Sequence, residues 1–376
     1  MKRIFLFVLF STTALFSQSE LQVSGFFQAG LSKIDGAYSV TSNIPPSLFS
    51  INQGQKDDYI SAQVQQMNLF FRKELNENFT AWANLEIVNS FNSKQSWGSF
   101  SLEEAWVNYQ YSNYFNVKAG SLIPRFGYMN EIKNRMPLLP YITRPLIYEA
   151  SIDVITASNF VPEKAFLQVY GYFPIGDVTI DYAAFAGNSE KSYITSNNVA
   201  LGSGSDTTKF KAFGGRIGAK FGELRGGIST SFDRENHQVD MQQDIHRVRY
   251  AVDLGYSAYN FFADGEFIYV KLQPNSPVSV NMDKKFYYAT LGYNFSEKIF
   301  GFATHSYVQD NHSQVFQAGM KSLSFGAGYK PAESVVVKVG YTKYYAANFF
   351  PIAGTPFTGN VNLDYKAYQL AVSVLF

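Results

Sequence analysis

The sequence predicts an all-β protein: a transmembrane antiparallel up-and-down β-barrel of about 16 strands, with a long third loop folded inward. Three observations predict it. Apolar and polar residues alternate with a period of two, short turns alternate with long polar loops, and the chain ends on an aromatic strand. Composition agrees: of 376 residues, 46% are hydrophobic, 17% aromatic and only 16% charged, well under the usual quarter. Cysteine is absent, which excludes disulfides, thiolate metal sites and a cysteine nucleophile.

The first element is a leader. MKRIFLFVLFSTTALFS opens with Lys2 and Arg3 and continues into an apolar run too short to cross a membrane as a helix. Residues 1–17 are therefore expected to be a cleaved signal peptide, leaving 18–376 as one barrel domain. Without Lys2 and Arg3 the chain holds 29 basic against 30 acidic residues, so nothing in the charge points to nucleic acid.

The strands follow. In 21–32, Leu21, Val23, Phe27, Ala29 and Leu31 alternate with Gln22, Ser24, Gln28 and Ser32. The same period runs through 79–88, 178–187, 246–256 and 335–342. Short turns are expected near 74–78, 111–114, 174–177, 221–223, 257–260, 294–298 and 330–333. Longer loops are expected at 33–57, 89–99, 123–164, 188–208, 233–245, 273–284, 309–319 and 345–361. Seven turns and eight loops, interleaved, make sixteen strands in one meander with both termini at the short-turn end.

A closed barrel of that size is too wide for side chains to fill. The apolar stripe then belongs against lipid and the polar stripe against water. A soluble sandwich or solenoid with the stripe turned inward is the alternative. Tyr109, Tyr111, Tyr114, Phe115, Tyr256, Tyr293, Phe295 and Tyr329 cluster beside the short turns, as an interfacial girdle would. In the terminal run AYQLAVSVLF, Tyr368, Leu370, Val372, Val374 and Phe376 share one face. This run resembles the C-terminal signature of outer-membrane barrels, which implies that these five residues are the signal read by the barrel assembly machinery.

The segment 121–164 is the longest gap between strands and is rich in Pro, Leu, Ile and Tyr, the wrong composition for a solvated tail. It is expected to pack against the lumen wall and narrow the pore. KAGSLIPRFGYMNE (118–131) and LPYITRPL (139–146), carrying Gly120, Pro124, Phe126, Gly127, Arg144 and Pro145, resemble the bacterial outer-membrane porins of the phosphate-selective type. The resemblance implies a homotrimeric diffusion channel in the outer membrane of a Gram-negative bacterium, passing small hydrophilic or anionic solutes and ions. This chain mixes Arg125, Lys133, Arg135 and Arg144 with Glu131, Glu149 and Asp153, where the phosphate-selective members concentrate arginine and lysine. The expectation is thus a mild anion preference at a constriction formed by Arg125, Glu131, Lys133, Arg135, Arg144 and Glu149.

On the wall, Lys118, Arg216, Lys220, Arg225, Arg247, Arg249 and Lys338 are expected to face inward, against Glu86, Glu104, Asp181, Asp253, Asp264 and Glu266. They form either a basic stripe or charges paired with neighbours. No cofactor, metal or catalytic residue is indicated: His237, His246, His305 and His312 fall in or beside predicted long loops without metal-binding spacing, and LGSGSD at 201–206 reads as a loop tip. Two other functions fit the same barrel. Met136, Leu138, Leu139, Ile142 and Leu146 could line a path for hydrophobic solutes, or the long loops could bind a partner at the cell surface.

Overall fold

A computed structural model describes residues 20–42, 56–88, 99–135, 138–149, 160–189, 211–236, 244–274, 282–313, 316–351 and 358–376. The expected signal segment, Met136, Asp153, His237 and the 201–206 stretch lie outside them. Sixteen strands run in chain order: β1 Gln22–Ser42, β2 Lys56–Glu74, β3 Phe79–Val88, β4 Ser99–Gln110, β5 Asn116–Leu122, β6 Ala165–Ile175, β7 Val178–Asn188 and β8 Lys211–Phe221. The second half continues with β9 Leu224–Asn236, β10 Asp244–Ala258, β11 Phe261–Pro274, β12 Met282–Asn294, β13 Ile299–Ser313, β14 Phe316–Ala332, β15 Val335–Pro351 and β16 Thr358–Leu375. Each pairs antiparallel with its neighbours in sequence, and β16 pairs with β1 to close the barrel.

Closure is what satisfies the backbone of a sheet that has lipid outside it. Phe376 completes it: its N–H donates to the Gly25 carbonyl at 3.0 Å, and its own carbonyl accepts from Gly25 at 2.8 Å. On β16, Tyr368, Leu370 and Val372 point outward, while Ala367, Ala371 and Ser373 point inward and are buried. The same alternation places Tyr250, Val252, Leu254 and Tyr256 outside on β10. Tyr111, Tyr114, Phe115, Tyr256, Phe295 and Tyr329 are exposed beside the short turns, as a girdle requires, and Tyr109 and Tyr293 are half-buried there.

All seven short turns fall where the sequence places them. Three of the long loops do not. β1 runs on through 33–42 and β2 begins at 56, β13 and β14 extend through most of 309–319, and β15 and β16 through most of 345–361. Their sequences carry no clean period of two, yet they pair as strands.

The inner wall also departs from expectation. It is largely polar on β2 to β9, with Gln66, Asn68, Asn84, Asn108, Gln168, Ser229 and Ser231 buried on that side. On β11, β12, β14 and β15, by contrast, Ile268, Val270, Leu272, Phe286, Tyr288, Met320 and Tyr344 face inward and form one cluster with residues of the segment between β5 and β6. The bore is therefore apolar on one side, and that side is covered.

Candidate functional site

The cover is the third loop. It leaves β5 through a turn at 123–128 and, among the described residues, forms a short helix, α1 Met129–Ile132, and later a 3-10 turn, Leu146–Tyr148. Phe126, Met129, Tyr141, Ile142, Leu146, Ile147, Tyr148 and Phe160 are buried. Each such side chain contributes about 1.5–3 kcal/mol when fully removed from water, so the apolar side of the loop has ample reason to lie on the apolar side of the wall.

Polar contacts fix where it lies. Tyr141 donates its hydroxyl to Asp264 on β11 at 2.9 Å and sits 3.0 Å from the Thr290 hydroxyl on β12. Tyr148 donates to Glu266 on β11 at 2.8 Å. Lys338 on β15 donates to the carbonyls of Leu139 and Tyr141. Gln28 on β1 and Gln65 on β2 both donate to the Ile142 carbonyl, at 3.0 and 2.9 Å. The Gly127 N–H donates to Ser229 on β9, and the Arg125 N–H to Gln168 on β6, each at 2.9 Å. Contacts with the inner faces of seven strands place these loop residues inside the barrel.

Gly127 explains the turn. Its φ is +62°, and a side chain there would overlap the Glu266 carboxylate. Only glycine allows that backbone to come so close to β11. The residues that carry the family resemblance are thus used in docking: Phe126 is fully buried, and Arg144 donates its N–H to Glu149 at 2.8 Å and its guanidinium to the Lys133 carbonyl at 3.2 Å.

The opposite side of the loop is charged. Arg125 pairs with Glu131 at 3.1 Å, both partly exposed, and Arg135 is exposed. Burial works against the Glu131 carboxylate, but Arg125 first, then Lys118 and Arg135, outweigh it and hold its pKa below the ordinary value. On the wall across from this side, the Lys118 ammonium sits 4.5 Å over the Trp106 ring and 5.2 Å over Tyr170, and Arg125 lies 4.9 Å over the same Tyr170 ring. A register shift between β3 and β4 brings Glu104 to the Ile123 N–H, at 3.3 Å, and Glu103 to Lys164, at 3.0 Å. Glu103 did not enter the sequence reading, because a bulge reverses the alternation that the reading relied on, and its partner Lys164 lies in the loop, where there is no alternation to read.

The structure thus brings Arg125, Glu131 and Arg135 together, while Lys133 lies beside Arg144, which with Glu149 is buried. The wall charges face inward, but most are paired. Arg216 binds Asp181 and Asp253 at 2.7 and 2.8 Å. Arg247 and Arg249, both 0% exposed, converge on Asp233, with Arg247 Nε 2.7 Å from its carboxylate. Lys220 is exposed at the short-turn end, and Glu86 accepts from Gln66. Leu139, Ile142 and Leu146 are buried in the docking side; among the described residues of the expected greasy path only Leu138 is exposed, at 64%. His305 lies within β13 on the outer face beside the Tyr287 ring, not at a loop.

No protein-family model matches the chain, and no curated protein matches it by sequence. Solved structures do match. An anion-selective porin from Comamonas acidovorans superposes with a TM-score of 0.57 at 11% identity, covering 95% of this chain and 100% of that one. OmpT, an outer membrane protein of Vibrio cholerae, gives 0.53 at 10% identity over 96% and 100% of the two chains. The outer membrane channel DcaP of Acinetobacter baumannii gives 0.50 at 12% over 93% and 97%. At such identities the likeness is one of fold: this chain has the barrel fold of outer-membrane porins.

Proposed function

We propose that this barrel is an outer-membrane porin whose third loop narrows a water-filled channel for passive diffusion of small hydrophilic solutes and ions. One observation carries the reading: the loop is two-sided. Its apolar side seals onto β11, β12, β14 and β15, and its charged side stays accessible opposite β3 to β6. An apolar plug would bury both sides; a solvated surface loop would bury neither.

On this reading Arg125, Lys133 and Arg135 on the loop and Lys118 on the wall border the constriction, with Glu131 and Glu104 among them. The excess of basic groups is small, so the selectivity is a mild preference for anions. Arg144 and Glu149 hold the loop together, and Arg216, Arg247 and Arg249 stabilise the wall through their carboxylate partners. The barrel reaches the outer membrane of a Gram-negative bacterium behind a cleaved leader at 1–17, is inserted by the barrel assembly machinery through its Phe376-ended strand, and works as a homotrimer. No catalytic role is assigned to any residue.

Purified protein in planar bilayers tests the proposal. Large, ohmic conductance steps with a reversal potential displaced modestly toward anions in a salt gradient are the expected result. A refolded barrel that carries no current would remove the channel reading.

A further inference from the structure

Beneath the loop, on the side of the short turns, lies a cavity of about 240 Å³. Tyr128, Ile132 and Leu139 of the loop form one wall, and Arg225, Phe262 and Asp264 of β9 and β11 the other. Arg225 differs from the arginines around it. Arg216 and Arg247 are locked to aspartates, whereas Arg225 has no hydrogen-bond or ion-pair partner among the described residues. Its guanidinium carbon instead lies 3.2 Å from the centre of the Tyr128 ring. Its other side rests on Gly255 of β10, where an added Cβ would sit 2.5 Å from the same carbon. The group is clasped flat between an aromatic ring and a bare backbone, and its N–H edge is left over.

We propose that Arg225 is a binding residue for the carboxylate of a small solute with an apolar body. A planar guanidinium held face-on keeps its forked donors in one plane, the arrangement that takes a carboxylate by two parallel hydrogen bonds. Holding it in advance lowers the entropy lost on binding. Ile132, Leu139 and Phe262 supply the apolar contact for the rest of the solute. Two acids also line the cavity, Asp264 and Glu223. Asp264 already accepts the Tyr141 hydroxyl, and Glu223 lies in the turn at the mouth, exposed. Either carboxylate could receive an ammonium group, so the carboxylate-bearing solute is either a simple acid or an amino acid. The inference rests on the proposed water-filled bore, since the solute must reach the cavity from the short-turn side.

Phenylacetate, phenylalanine and phenethylamine separate these chemistries. Each is added to the short-turn side of the channel in a bilayer, and its current block is read beside saturation-transfer NMR on the detergent-solubilised barrel, which needs no conductance. Phenylacetate and phenylalanine should bind, phenethylamine least, and a preference for phenylalanine would identify an amino acid as the solute. Arg225→Gln should weaken phenylacetate binding about tenfold or more. Arg225→Lys, which keeps the charge and loses the fork, should weaken it too, and so should Gly255→Ala, which keeps the arginine and displaces it. Heat-modifiable migration and an unchanged β circular dichroism spectrum show that each variant is folded. Phenylacetate binding that is equal in Arg225→Gln and the parent, or phenethylamine binding as tightly as phenylacetate, overturns the proposal. A barrel that binds phenylacetate through Arg225 and carries no current would count against the porin and leave this site standing.

Discussion

The ammonium group of Lys338, near the start of β15, donates a 2.7 Å hydrogen bond to the carbonyl oxygen of Leu139 in the third loop. The same group reaches the Tyr141 carbonyl at 3.0 Å. A buried cation in a barrel wall is costly unless it is well partnered, and here it is spent on holding the loop.

Replacing Lys338 by methionine keeps the bulk and leaves two loop carbonyls without their donor. A lost charged hydrogen bond costs about 1.5–3 kcal/mol, so this part of the loop should loosen while the barrel stays folded. Open-channel current noise should rise, and protease should cut the loop faster. Noise and cleavage equal to the parent's would mean that Lys338 does not hold it.

Gly127 is the loop's hinge onto β11. An alanine there has to hold a left-handed backbone at a cost of about 1–2 kcal/mol and also push against Glu266. Gly127→Ala should lower the unfolding midpoint of the refolded barrel and alter its conductance together. A variant indistinguishable from the parent in both would show that the turn has room to spare.

Selectivity should depend on where each charge lies and not on charge alone. Neutralising Arg125, Lys133 and Arg135 to glutamine should move the reversal potential toward cations. Arg144→Gln should leave it nearly unchanged, because that guanidinium is buried against Glu149 and the Lys133 carbonyl. Equal shifts from Arg144 and Arg135 variants would contradict the two-sided loop.

Phe376 closes the sheet and packs near Phe27, with ring centres 6.5 Å apart. If its main role is as an assembly signal, Phe376→Ser should sharply reduce the heat-modifiable barrel recovered from cells. Protein refolded from denaturant should lose far less. A matching loss in both would mean that the ring acts through stability.

Much of the barrel is visible in the sequence for a simple reason. Where lipid lies on one face and water on the other, residues such as Tyr250, Val252 and Leu254 alternate cleanly with Arg249 and Asp253, and the turns between strands are short. The signal fails wherever both faces meet the same surroundings. Segments such as 38–42 and 358–361 pair as strands but read as loops. Phe267, Ile268, Tyr269 and Val270 are apolar on both faces, since β11 meets lipid outside and the third loop inside. A continuous apolar run does not say which side is which. Within the site, the charges of the loop could be named from the sequence. Their sorting could not, because Arg225 beneath Tyr128 and Lys338 beneath Leu139 are contacts between residues far apart in the chain.

The central claim is that one side of the third loop borders water that carries current. The chain contains no cysteine, so a single introduced thiol reports one position without background. With Arg135→Cys, a charged thiol reagent applied during recording should reduce the current in discrete steps, and with Ile147→Cys on the docked side it should have no effect. Current through Arg135→Cys channels that is unaffected by the reagent, although the thiol is shown to have reacted, would contradict the account.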